Sequence, residues 1–145
     1  MTTKGERPRV LVVDDYPDAR EMYTEYLEYT GFEVVQASNG MEALKQAVER
    51  KPDIILMDLS LPVMDGWEAT RRLKADQRTA HIPVVALTGH ALAGISEGAK
   101  QAGCDAFVTK PCLPEDLVKE IRKVLEGSLP KRKARRSGRY AKDIG

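Results

Sequence analysis

The stretch Ile54-Ile55-Leu56-Met57-Asp58-Leu59-Ser60-Leu61-Pro62 decides how the fold of this chain is interpreted. Four consecutive apolar residues lead into one carboxylate, and Pro52 and Pro62 bound the run. A short apolar run with such boundaries is typical of a strand that is buried on both faces, as in a parallel sheet. Asp58 would then lie at the carboxyl end of a strand, where open α/β sheets bind ligands. Such an aspartate is either an ordinary turn residue or a nucleophile or metal ligand, and the rest of the chain decides which.

Strand-like and helix-like segments alternate along the chain. The patterns predict strands at 9–13, 33–37, 54–58, 82–88 and 105–109. They also predict five helices: one at 17–29, one that follows a cap at 39 and ends at 50, and three at 67–75, 92–102 and 114–127. Glycines in the fourth predicted helix lower its helix propensity, so we expect a mobile element there. Five strand–helix units predict an α/β fold, a doubly wound, flavodoxin-like parallel sheet of five strands in the order 2-1-3-4-5 with five helices.

Charge divides the chain into an acidic body and a basic end. Residues 127–145 hold seven basic residues and one acidic residue, a net charge of +6, which leaves −5 for residues 1–126 because the whole chain is +1. We therefore predict a disordered N-terminus at 1–7, one domain at 8–126, and a basic tail or linker at 127–145. The tail could also contact nucleic acid or anionic lipid weakly and without specificity, but no DNA-reading motif accompanies it.

Two further features bear on location and redox state. The longest early apolar run, 10–13, is too short for a signal peptide or a membrane span, which predicts a cytoplasmic protein. Cys104 and Cys112 are too few for a disulfide framework and lack the partners of a zinc site, so reduced thiols are expected.

The predicted strand ends carry side chains that suit phosphoryl transfer. These side chains are Asp14, Asp15, Asp58, Thr88 and Lys110. Three carboxylates in one cleft repel each other, and a hard divalent cation relieves the repulsion; Mg²⁺ fits best, with Mn²⁺ as the alternative ion. A hydroxyl and an ammonium group beside them suit a phosphoryl group. The inferred chemistry is phosphoryl transfer to a carboxylate.

These residues resemble the motifs of the receiver domains of two-component response regulators, in particular single-domain regulators of the chemotaxis type. The matching motifs are Asp14-Asp15, Asp58 to Pro62 with Met64-Asp65-Gly66, Leu87-Thr88-Gly89, and Lys110-Pro111. The resemblance covers about residues 8–126, the whole of the predicted domain. It implies a cytoplasmic signalling protein that accepts a phosphoryl group and catalyses only its own phosphorylation and dephosphorylation.

The resemblance also implies a role for each matching residue. Asp58 would receive the phosphoryl group from the phosphohistidine of a sensor histidine kinase or a phosphotransfer protein. Asp15, Asp58 and the backbone carbonyl of Ser60 would bind Mg²⁺ directly, and Asp14 would act mainly through a metal-bound water.

Thr88 and Lys110 would contact the phosphoryl oxygens, and Phe107 would be the aromatic switch residue that responds to Thr88. Ser60 and His90 match positions that tune the lifetime of the acyl phosphate. The family usually presents its fourth helix, fifth strand and fifth helix to a downstream protein partner.

Two other functions remain open from the sequence. A phosphohydrolase of similar fold usually has a second acid two residues after its nucleophile, where this chain has Ser60. A degenerate receiver would bind partners without phosphorylation, which the complete set of site residues disfavours.

Overall fold

The structure is a computed structural model that describes residues 7–59, 64, 66–88, 103–109 and 113–136, with side chains as far as Gly127. Its strands are β1 (Arg9–Val13), β2 (Glu33–Ala37), β3 (Ile54–Asp58), β4 (Val84–Thr88) and β5 (Ala106–Thr109). Its helices are α1 (Pro17–Tyr29), α2 (Gly40–Arg50), α3 (Gly66–Ala75) and α4 (Pro114–Arg136), the last of which corresponds to the fifth predicted helix.

The five strands form one parallel sheet in the order β2-β1-β3-β4-β5, which confirms the predicted topology. Every residue of β3 and β4 is buried, as expected for strands covered on both faces. The predicted fourth helix, at 92–102, lies outside the described residues, so the total of five helices stays a prediction.

Alternate residues of each strand supply two separate core layers. On one face, Leu11 and Ile55 belong to the layer that α2 and α3 cover through small and apolar residues: Ala43, Ala47, Ala69 and Leu73. On the other face, Val12 and Leu56 belong to the layer that α1 and α4 cover, chiefly through Tyr23, Leu27, Leu117 and Ile121. The carboxyl ends of the central strands are thereby held at one edge of a rigid sheet.

Helix α1 ends as its sequence predicts. Gly31 has a φ of 105°, and its N–H donates to the Glu28 carbonyl at 3.2 Å. The N–H of Phe32 donates to the Leu27 carbonyl at 3.0 Å, which completes a Schellman motif. Phe32 and Leu27 are both buried in the same core layer, so the turn also directs the chain into β2.

Some predicted element ends differ from the observed ones. Helix α4 does not end at Gly127 but continues to Arg136, so that predicted end is wrong. A glycine in a helix costs only about 1 kcal/mol, and Gly127 is not among the described residues with a positive φ, so it does not act as a helix stop. The β4 strand begins at Val84, two residues later than predicted, and β5 begins at Ala106, one residue later.

The predicted domain boundaries, 8–126 and 127–145, stay predictions. Residues 1–6 and 137–145 lie outside the described part of the chain. Among the helices that the structure describes, none combines the length and apolar character needed to cross a bilayer.

Candidate functional site

Three carboxylates meet at the carboxyl edge of the sheet. Oxygen atoms of Asp14, Asp15 and Asp58 all lie within 4.8 Å of one another. They converge because β1 and β3 are neighbours, with Val13 paired to Met57, and each strand runs directly into its aspartates. Asp14 is fully buried and Asp58 is 5% exposed, whereas Asp15 is exposed. One side of the cluster is therefore open to an incoming group.

Asp14 is held in place through three of its atoms. Its backbone N–H donates to the Ala37 carbonyl at 3.1 Å, and its Oδ1 accepts the N–H of Tyr16 at 3.0 Å. Its carbonyl oxygen accepts a hydrogen bond from Nη1 of Arg20 at 2.8 Å. The bond to Tyr16 is an Asx turn, which fixes the carboxylate relative to the start of α1.

The backbone at Asp58 is held by contacts on two sides. On one side it pairs with Leu87 in β4, and the next residue, Leu59, donates its N–H to the Leu87 carbonyl at 3.0 Å. On the other side the first turn of α3 presses against it: a Cβ built on Gly66 would lie 2.4 Å from the Asp58 carbonyl oxygen. The absence of a side chain at Gly66 lets α3 begin directly against the strand end.

The remaining site residues named from the sequence divide into described and undescribed ones. Thr88 is 4% exposed at the end of β4, one residue beyond the pair that Asp58 forms with Leu87. Phe107 is half-buried in β5 and pairs with Ala86. The other predicted site residues, Ser60, His90 and Lys110, lie outside the described residues.

The donor set suits a hard divalent cation. Carboxylate oxygens are the ligands of Mg²⁺ and Mn²⁺, and two Mg²⁺ ligands on opposite sides of an octahedron are about 4 Å apart. The observed spacing of up to 4.8 Å is close to that value. Within the described ranges this is the one cluster of three or more acidic, histidine or cysteine groups with such spacing. The residues present therefore fit a Mg²⁺ ion.

Two features of the site were not predicted from the sequence: the hydrogen bonds of Arg20 and the packing of Gly66. Gly66 was identified only as part of the Met64-Asp65-Gly66 motif, although a glycine at a helix start is a signal of close backbone approach. Arg20 had no signal of this kind, because its partners come from the preceding turn and from β2.

Comparison with known proteins gives the family. The family model of the response regulator receiver domain matches residues 10–122. The chain belongs to the response regulator receiver domain family. Such domains are signalling modules of two-component systems rather than classical enzymes; they interact with histidine kinases and phosphotransfer proteins and bind Mg²⁺ at an acidic pocket.

Single-domain regulators are among the similar proteins. The polar-differentiation response regulator DivK of Brucella anthropi is 38% identical over 116 residues, which are 80% of this receiver and 94% of that protein. The chemotaxis protein CheY4 of Vibrio cholerae is 31% identical with a TM-score of 0.79, and the match covers 81% of this chain and 98% of that one.

A third similar structure contains a metal ion. The receiver domain of a sensor histidine kinase from Pseudomonas aeruginosa PAO1 has a magnesium ion coordinated in its active-site cleft. It is 32% identical to this receiver with a TM-score of 0.77, and the match covers 83% of this chain and 98% of that one.

Proposed function

We propose that this receiver accepts a phosphoryl group on Asp58 from the phosphohistidine of a sensor histidine kinase or phosphotransfer protein, and that phosphorylation changes its binding to a downstream protein. The observation that carries the proposal is the cluster of three carboxylates within 4.8 Å at the ends of two neighbouring buried strands. Asp58 is the nucleophile in this proposal because it ends the central strand and lies next to the Thr88 side of the sheet.

The reaction needs little chemistry from the protein beyond positioning and charge. A carboxylate oxygen of Asp58 attacks the phosphorus atom, the P–N bond to the histidine breaks, and the imidazole leaves with the bonding electron pair. A Mg²⁺ or Mn²⁺ ion held by the carboxylates would neutralise the negative charge that otherwise repels the phosphoryl oxygens. Asp15 and Asp58, with the backbone carbonyl of Ser60, would be its direct ligands, and Asp14 would act through water.

The hydroxyl of Thr88 is proposed to donate to a phosphoryl oxygen, and Lys110 to pair with the phosphoryl charge. Thr88 and Phe107 lie on paired strands, since Thr88 is paired to Thr109 two residues beyond Phe107. A shift of Thr88 toward the phosphoryl group would therefore be transmitted to the neighbouring strand, β5. This coupling is the proposed switch, and it would bias an equilibrium between two arrangements of the partner surface.

The partner surface in this proposal is formed by the segment 92–102, β5 and α4. Ser60 and His90 are proposed to tune the lifetime of the acyl phosphate. Residues 8–126 would form the signalling domain in the cytoplasm, and residues 127–145 would be a basic tail or linker with at most weak contact to nucleic acid.

Acetyl phosphate and beryllofluoride test the proposal on the intact chain. With Mg²⁺ present, acetyl phosphate should give one phosphoryl adduct per chain by intact mass, and Asp58→Asn should give none. Beryllofluoride, which mimics an acyl phosphate, should change the fluorescence of Trp67 only in the wild-type protein and only with Mg²⁺. Trp67 is a suitable probe because it follows Gly66, which packs against Asp58.

Asp53→Asn is the matched control. Asp53 directly precedes β3, so it lies at the opposite end of this strand from Asp58. Its Oδ2 accepts a hydrogen bond from the N–H of Arg9 at 2.8 Å. This variant should be phosphorylated like the wild type. Absence of an adduct in the wild type would refute phosphoacceptor function, and repeated turnover of a phosphate ester would indicate a phosphohydrolase instead.

A further inference from the structure

Arg20 connects the turn that carries two of the three carboxylates to the neighbouring strand. It lies in the first turns of α1, and its backbone N–H donates to the Tyr16 carbonyl at 3.0 Å. Its half-buried side chain folds back over the β1–α1 turn: Nη1 donates to the Asp14 carbonyl at 2.8 Å, and Nε donates to Oε1 of Gln36 at 2.9 Å. One guanidinium group therefore bridges the turn and β2.

The carbonyl that Arg20 binds belongs to the peptide group between Asp14 and Asp15. Because a peptide group is planar, fixing the direction of this carbonyl also restricts the backbone direction at both aspartates. The N–H of Asp14 is already bound to Ala37, the residue after Gln36. Asp14 is thus tied to β2 twice, directly through its N–H and through Arg20 and Gln36 at its carbonyl.

Arginine suits this bridge better than lysine. Its guanidinium presents several N–H donors in a fixed plane, so two acceptors can be held in a set relative position. A lysine would keep the positive charge but could not hold both acceptors in that geometry. A change of Arg20 to lysine therefore separates the effect of geometry from the effect of charge, which by itself would oppose cation binding.

We propose that Arg20 is a positioning residue for the metal site: through the Asp14 carbonyl it holds the Asp14–Asp15 peptide in the orientation that lets both carboxylates point at one Mg²⁺ ion. This inference rests on the proposed function, since it assigns Arg20 to the Mg²⁺ site. Arg20 would act through the Asp14 carbonyl and not as a ligand of the ion or the phosphoryl group.

Titration with Mg²⁺, followed by Trp67 fluorescence, tests the role of Arg20 in full-length protein. In Arg20→Lys the Kd for Mg²⁺ should rise about tenfold, the usual cost of losing an outer hydrogen-bond partner of a metal site. The maximal phosphorylation rate from acetyl phosphate at saturating Mg²⁺ should stay within about twofold of the wild type, because binding and not chemistry is affected. In the metal-free protein, the Tyr16 amide should exchange with solvent faster.

Two further variants keep the test specific. Gln36→Leu retains the charge of Arg20 but removes its far acceptor, so the Kd should rise in the same direction by a smaller factor. The double variant should bind Mg²⁺ no more weakly than Arg20→Lys, because both changes break one linkage. Arg122→Lys is the matched control, since Arg122 also donates to a backbone carbonyl, that of Thr30 at 3.2 Å, far from the site; its Kd should match the wild type.

Two results would overturn the inference while leaving the proposed function intact. One is a wild-type Kd in Arg20→Lys, and the other is an equal loss of Mg²⁺ affinity in Arg122→Lys. A wild-type protein that shows no response to Mg²⁺ would instead refute the proposed function, and the inference with it.

Discussion

Gly66 lies so close to the backbone of Asp58 that a side chain at position 66 would displace one of the two residues. A Cβ on Gly66 would come within 2.4 Å of the Asp58 carbonyl oxygen and 2.8 Å of the Leu59 Cα. The N–H of Gly66 also donates to the Leu59 carbonyl, at a long 3.4 Å. Helix α3 therefore begins against the peptide group that follows the proposed phosphoacceptor, and any shift of the helix start is passed on to Asp58.

Replacing Gly66 with alanine should impair both folding and phosphorylation. The clash is with backbone atoms, which cannot rotate away, so either α3 or the end of β3 must move. We expect Gly66→Ala to lower the free energy of unfolding by about 1–3 kcal/mol, the usual cost of overpacking. Urea unfolding measures this loss, and acetyl phosphate labelling should show slower phosphorylation even under conditions where the variant is folded.

Gly127 supplies the matched control. It is also in a helix, but a Cβ built on it would meet nothing within 4 Å. Gly127→Ala should therefore stabilise the protein by about 0.5–1 kcal/mol through helix propensity, with no change in phosphorylation. If the two glycine variants behaved alike, the close packing of Gly66 on Asp58 would have no energetic consequence.

The carboxylate cluster itself should lower the free energy of unfolding when no metal is bound. Asp14→Asn keeps an oxygen that can accept the Tyr16 N–H, so the Asx turn survives while one of three neighbouring charges is removed. We expect the metal-free variant to be more stable than the metal-free wild type by on the order of 1 kcal/mol, because like charges on oxygen atoms within 4.8 Å of one another repel. Thermal unfolding with and without Mg²⁺ measures the effect.

Mg²⁺ should reverse this order of stability. The wild-type protein gains about 2.7 kcal/mol at a Mg²⁺ concentration 100 times its Kd, whereas Asp14→Asn should gain much less at the same concentration. A metal-free variant that is less stable than the wild type would mean that another group in the fold already neutralises the cluster.

The topology and the acidic cluster could be predicted because both follow from local patterns. The run from Ile54 to Asp58 identifies a buried central strand, and the alternation of strands with helices implies a parallel sheet. Parallel strands place their carboxyl ends at one edge, so Asp14, Asp15 and Asp58 had to be neighbours once the strand order was known. The cap at Asn39 and the end of α1 at Tyr29 were equally local.

Other features depend on contacts that leave no local pattern. The bond of Arg20 to Gln36 joins residues 16 positions apart, and the bond of Lys74 to Asp105 joins residues 31 positions apart. The continuation of α4 beyond Gly127 was missed because a single glycine stops a helix only where it adopts a left-handed conformation, and glycine alone does not reveal its φ.

Lys74 is expected to hold the start of the edge strand β5 in place. Its Nζ lies 2.8 Å from the Ile82 carbonyl, 3.4 Å from the Ala80 carbonyl and 3.0 Å from Oδ2 of Asp105. The ammonium group thus has three acceptors for its three donors, and Oδ2 of Asp105 also accepts the Val84 N–H at 2.8 Å. Lys74→Met should lower the free energy of unfolding by about 2 kcal/mol, as measured in urea.

A lysine with one long contact provides the comparison for Lys74. Nζ of Lys123 lies 3.8 Å from Oε1 of Glu120, and its side chain is 75% exposed. Lys123→Met should therefore change stability by no more than about 0.5 kcal/mol. Equal losses in the two methionine variants would show that Lys74 does not act through its three acceptors.

Glu42 gives α2 a pH-dependent contribution to stability. Asn39 Oδ1 accepts the Glu42 N–H at 2.8 Å, while Oε1 of Glu42 accepts the Ser38 N–H at 2.6 Å and the Ser38 hydroxyl at 3.0 Å. Asn39 thus caps α2 as the sequence predicts, but the glutamate returns to Ser38, the residue before the cap. The hydrogen bond from the Ser38 N–H, and after it the one from the Ser38 hydroxyl, lowers the pKa of Glu42 below its usual range.

A carboxyl whose pKa is lowered on folding stabilises the protein above its unfolded pKa and loses that contribution as the pH falls through the folded value. Glu42→Gln should therefore be less stable than the wild type at pH 7, by about 0.5 kcal/mol for an exposed cap. The difference should vanish in acid below the lowered pKa, where both side chains are neutral, and urea unfolding at several pH values measures it. In the Ser38→Ala background it should shrink, because one of the two donors is absent. A difference that persisted unchanged in acid would mean that the charge of Glu42 does not contribute to the cap.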